Sequence, residues 1–167
     1  MSAREDFDAA ADRFRAFFDE FDRETDRGCA VLAMCVLEDT LRGLFQARVV
    51  EGADIRALAP PGNARAAVDN AVALGLLGAA EAQMYRKLSK IRNFFAHHAL
   101  EGLTFESPEV VALTNSFSLP ARLLNLAAYL EGLDSRKRFM AAASMVQLTM
   151  LSRTAGVTRL EVLAPLL

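Results

Sequence analysis

Met84, Leu88, Ile91 and Phe95 recur at the spacing of one helical face, and a charged residue, Arg92, shares that face. At about 100° per residue, Met84, Ile91, Arg92 and Phe95 all fall within about 60° of Leu88. Lys90, Asn93 and His97 fall on the other side. A stripe of this kind has to be covered by another apolar surface, so the stretch from Tyr85 to His98 predicts a central helix around which the chain is organised. It also carries both histidines of the chain, His97 and His98.

A guanidinium keeps its charge in any protein interior, so Arg92 on a core-facing stripe needs an acid. Glu24, Asp26, Glu38 and Asp39 are the candidates. Glu38 is the best of them, because it sits in an otherwise apolar helical segment where a lone carboxylate would be costly. One reading of Arg92 is therefore a structural ion pair that sets helix register. The other is a cleft-facing cation that binds an anion such as phosphate. His97 follows Arg92 by five residues, about 140° away on an ideal helix, which is poor geometry for both to grip one atom unless a second subunit joins the two faces. Asn93 and His97 are four apart and share a face. A histidine at a helix C-terminus also suits a structural role, bonded to a carbonyl or carboxylate.

The rest of the chain reads as helices as well. Phe7, Phe14, Phe17, Phe18 and Phe21 form a stripe on an N-terminal helix from Glu5 to about Glu24. A strongly apolar helix is expected from about Cys29 to Arg48, stopped by Gly52 and the Ala59-Pro60-Pro61-Gly62 loop. Asn63 caps a third helix to about Leu74, Gly75 to Gly78 turn a corner, and the central helix runs from about Ala79 to Ala96. Ser107-Pro108-Glu109 opens a short helix to about Phe117. Ser118-Leu119-Pro120 opens another that ends near Gly132, and Asp134-Ser135 precedes the last, from about Arg136 to Arg153. An apolar tail follows from Thr154. Sustained alternation of a half-buried strand is missing throughout. The fold class is all-α: a single domain over 1–167, a helical bundle of about six or seven helices, with an amphipathic 1–23, a core over 24–153 and a tail over 154–167.

Charge narrows the function. A formal net charge of −2 argues mildly against a dedicated nucleic-acid binder. The densest basic cluster, Arg136-Lys137-Arg138, reads as a solvated face, with an anionic partner as the sharper alternative. Cys29 and Cys35 are six apart on one helix and suit neither a disulfide nor a metal clip. The acidic start is unlike a targeting peptide, and no apolar run is long enough to span a bilayer, so a reduced cytoplasmic setting is expected. Nucleotide-loop, zinc-protease, dithiol and nucleophile-elbow motifs do not occur, and no cofactor or metal is expected.

Several runs together carry a family resemblance. Glu24-Thr25-Asp26-Arg27-Gly28, Leu37-Glu38-Asp39 with Leu41 and Leu44, Leu74-Gly75-Leu76-Leu77, Tyr85, Ile91-Arg92-Asn93-Phe94-Phe95-Ala96-His97, Phe105 and Arg136-Lys137-Arg138-Phe139 resemble the mannitol operon repressor family, over about Glu24 to Arg153. That resemblance implies an all-helical cytoplasmic protein that controls sugar-alcohol uptake genes without an evident helix-turn-helix. The run from Arg92 to His97 is also similar to the Arg-x4-His signature of HEPN helical ribonucleases. That similarity implies metal-independent RNA cleavage at a dimer interface, with Arg92 steadying phosphate charge, His97 moving a proton and Asn93 beside them.

The polar residues grouped around the central helix as a binding or structural cluster are Asp26, Arg27, Glu38, Asp39, Arg92, Asn93 and His97. The function expected first is a non-enzymatic transcriptional regulator. A helical protein-interaction or small-ligand module comes second, and a HEPN-like endoribonuclease or RNA-binding protein third. The partners expected are a second copy of the chain, as a homodimer or homo-oligomer, or another protein; DNA or RNA stays open as a partner but finds no support in the net charge, and no membrane is expected.

Overall fold

The structure, a computed structural model, describes residues 21–98, 100–117 and 132–162. The phenylalanine stripe from Phe7 to Phe18, the helix opened by Ser118-Leu119-Pro120 and the last residues from Leu163 lie outside the described residues; of the first stripe, Phe21 is described, helical and buried. The architecture is all-α, one helical bundle, and no strand occurs among the described residues.

Helix α1 spans Asp26–Arg48, α2 Ile55–Leu58, α3 Ala64–Ala73, α4 Ala79–His97, α5 Pro108–Asn115 and α6 Ser135–Gly156. The two longest, α1 and α6, pack along each other, and α4 lies against both. Helix α3 pairs with the outer side of α4, and α5 rests on α6. Met84, Leu88, Ile91 and Phe95 of α4 are all buried, as the stripe requires, against Met34, Leu37, Leu41 and Phe45 of α1 and the inner residues of α6. Phe105, in the irregular connection after α4, joins the helices: its ring lies 5.1 Å from Phe95 and 5.3 Å from Phe139. Such tilted aromatic contacts add to the area term.

The helix ends follow from local chemistry. Thr25 Oγ1 accepts from the Gly28 amide at 3.0 Å, so α1 begins at Asp26, a turn earlier than the apolar pattern alone predicts. Asn63 Oδ1 accepts from Ala66 N at 3.1 Å and caps α3 as expected. At the other end of α3, Gly75 adopts φ +70°, Leu76 N donates to Ala71 O at 2.8 Å and Gly75 N to Val72 O at 3.0 Å. This paired closure needs a left-handed residue, which is why glycine stands there. The carboxylate of Glu81 reaches back to Gly78 N at 2.7 Å and starts α4.

Further differences from expectation lie in α2, α5 and α6. Helix α5 ends at Asn115, not near Phe117, and Ser107 turns its hydroxyl back to Thr104 N at 3.1 Å instead of capping the helix. The short α2, capped by Asp54 at 2.9 Å, stands within a stretch read as loop. Helix α6 runs on to Gly156, into the segment expected as tail, where Val157 N still donates to Arg153 O at 2.8 Å and the Thr154 hydroxyl bonds back to Met150 O at 2.9 Å. The chain then docks on the end of α1: Leu160 N donates to Arg48 O and Arg48 Nη1 to Thr158 O, both at 2.7 Å.

Candidate functional site

Helix α4 has three chemically different faces. The core face is apolar. Beside it, on the seam with α1, Arg92 donates to Glu38 at 3.3 Å, the partner that the sequence favours. The two side chains are 21% and 23% exposed, so the pair sits at the edge of the core and not inside it. Glu38 also lies 3.7 Å from Arg42, which is held by Asp39 at 2.6 Å. The seam is thus a small network of two acids and two arginines. Tyr85 is fully buried next to it, and its hydroxyl has no hydrogen-bond partner among the described residues. Burial first, and the nearby Glu38 carboxylate second, push the Tyr85 phenol above its ordinary range, so it stays protonated.

The third face looks away from α1. Arg86, Ser89, Lys90 and Asn93 stand on it at helical intervals of three, four and seven. Opposite them are Asn63, Ala64, Arg65 and Asp69 of α3 and the residue before it, and a cleft of about 510 Å³ lies between. Arg86 crosses the cleft rim to Asp69 at 2.5 Å, and Arg65 approaches the same carboxylate at 3.9 Å.

Asp26 belongs to a separate knot. Its carboxylate accepts from Arg136 at 2.6 Å and from the Phe105 amide at 2.9 Å, and Arg136 also donates to the carbonyls of Phe21 and Glu24, each at 2.6 Å. The basic cluster of 136–138 is therefore split: Lys137 stays on the solvated face, and Arg136 leaves it. Arg136 points inward, Lys137 pairs with Asp134 at 3.4 Å, and Arg138 donates to Asn115 and to the Leu133 carbonyl. The reason is geometric: the α6 N-terminus abuts the α1 N-terminus, whose first-turn acid attracts a cation.

The residues grouped by sequence consequently do not form one cluster. Glu38, Asp39 and Arg92 come together on the seam; Asp26 anchors the knot; Arg27 reaches the His98 carbonyl at 3.4 Å, near the end of α4; Asn93 lines the outer cleft; His97 is exposed. The carboxylate-bonded histidine is His98, with Nδ1 2.9 Å from Glu101 and the ring stacked on Phe94 at 4.7 Å, and not His97. Arg42, Arg86 and Ser89 have no role in the sequence pattern; Arg136 is expected at the surface and not in a knot, Tyr85 has no polar role there, and Lys90 is placed on the polar side of the helix without a cleft. The three-four-seven polar spacing was a usable signal for the cleft wall; nothing local signals the inward turn of Arg136. No group of acids, histidines and cysteines among the described residues is arranged to hold a metal. No described helix is long and apolar enough to cross a membrane.

Compared with family models, with curated proteins and with solved structures, the chain matches none.

Proposed function

We propose that this protein is a non-enzymatic regulator of the kind the mannitol operon repressor resemblance implies, acting through contacts with protein. The observation that carries this reading is where the charge goes. The guanidinium of Arg92 is held by Glu38, and that of Arg136 by Asp26 and two backbone carbonyls. Two cations suited by sequence to grip an anion are thus engaged by acids and carbonyls of the fold itself. The test is transcript measurement in a strain lacking the gene. Altered expression of a neighbouring operon, restored by the wild-type chain and equally by His97→Ala, supports the regulator. Purified protein is expected to give no gel shift on upstream DNA at low salt; a shift with steep salt dependence replaces protein contact with DNA contact.

A HEPN-like ribonuclease is the second reading. It is favoured by one observation: His97 is exposed and makes no hydrogen bond or ion pair with the described residues. A partner copy would have to unite it with an Arg92. Cleavage of RNA in EDTA, lost in His97→Ala, would carry that reading; intact RNA ends it.

A further inference from the structure

We propose that the outer cleft between α3 and α4 is a binding site for a small phosphate monoester. This goes beyond the regulatory reading and stands without it. The cleft holds about 510 Å³, within the size range of small-molecule sites. Its lining has three cations, Arg65, Arg86 and Lys90, against one carboxylate, Asp69, in a chain whose formal net charge is −2. The positive excess is thus local, and Asp69 holds both arginines at the rim, at 2.5 and 3.9 Å.

Ser89 is the independent sign of a ligand. It is 8% exposed, it lines the cleft, and its hydroxyl makes no hydrogen bond with the described residues. Asn93, one turn on, lines the same wall with its carboxamide equally unpaired among the described residues, and so does Lys90. None of the three is among the sealed, unpartnered side-chain atoms of the described residues, so their polar ends open onto the cleft, where a ligand takes the place of water as partner. The opposite wall adds the first turn of α3, whose Ala64 and Arg65 amides lie ahead of any intrahelical acceptor and carry the positive end of the helix dipole. Donors and positive charge converge, which fits an anion with several acceptor oxygens and a charge near two. A phosphate monoester has both near neutral pH. A nucleic acid would need cations along an extended track, whereas Arg136, Lys137 and Arg138 are engaged elsewhere.

The experiment is calorimetric titration of the full chain at low salt with ribose 5-phosphate, inorganic phosphate, ribose and a single-stranded oligoribonucleotide. Saturable one-to-one binding of ribose 5-phosphate is expected, weaker binding of inorganic phosphate, and none of ribose. Lys90→Glu, an exposed position that leaves the fold alone, weakens it by about tenfold or more. Ser89→Ala weakens it by several-fold, and Asp69→Asn, which removes the competing carboxylate, tightens it. Four results overturn the proposal: no saturable binding, binding unchanged in Lys90→Glu, inorganic phosphate bound as tightly as the monoester, or preference for the oligoribonucleotide.

Discussion

Arg136 and Asp26 are 110 residues apart in the chain and meet at 2.6 Å. With the Phe105 amide on the other carboxylate oxygen, Asp26 ties together α1, α6 and the connection after α4. Arg136 returns bonds to the carbonyls of Phe21 and Glu24. The two side chains are 23% and 22% exposed, so this is a mostly desolvated network in which each member satisfies several others.

Removing one member strands the rest. Arg136→Ala is expected to cost about 3 kcal/mol, the low end for breaking a buried pair, since some water reaches it. Arg136→Lys should not restore it, because one ammonium cannot reproduce the planar fork that serves a carboxylate and two carbonyls. Urea unfolding checks both; full recovery with lysine would show that charge alone matters.

Arg92→Ala should be milder. Its bond to Glu38 is 3.3 Å long, and Arg42 at 3.7 Å remains to neutralise the acid. The expected loss is about 1–2 kcal/mol, below the ~3–5 kcal/mol of a fully buried pair. Adding Arg42→Ala should cost more than the sum of the two single changes, and a double-mutant cycle in urea measures that excess.

The cysteines should differ sharply. Cys29 is buried and Cys35 exposed. Burial pushes the Cys29 thiol up to about 12, partly offset by the Arg136 charge. One thiol is therefore expected to react with a chromogenic disulfide in the native protein, and two after denaturation. The unfolded thiol ionises near 9.0, so the folded state holds the proton longer, and this contribution is present below about 9 and lost as pH rises toward about 12. Cys29→Ala should flatten that alkaline limb of the stability curve.

Asp134 caps α6, accepting from Lys137 N at 2.8 Å, and that bond first and foremost holds its carboxyl below the ordinary range. Asp134→Ala should cost about 1 kcal/mol, as caps do. A depressed carboxyl stabilises the fold above its unfolded titration and loses that effect as pH falls, so the wild type and Asp134→Ala should converge in acid. Thermal melts across pH follow the difference.

His97→Ala should leave the melting temperature unchanged, because the side chain is exposed and makes no polar contact with the described residues. A clear drop would mean that His97 has a structural partner beyond those residues.

The all-α class, the core stripe of α4, the cap Asn63 and a last helix opened at Asp134-Ser135 are legible in the residues alone, and Glu38 stands out there as the first of four candidate acids for Arg92. These are local or nearly local matters: periodicity decides which face is buried, and a cation on that face has few acids to choose from. That Arg136 turns inward to Asp26, that Asn93 and His97 part company, and that a polar face of α4 closes against α3 into a cleft follows from the packing of the helices. A basic run at a helix start looks the same in sequence whether it meets water or another helix's acidic first turn. Which of the two it meets depends on how helices more than a hundred residues apart are packed, and no spacing along the chain encodes that.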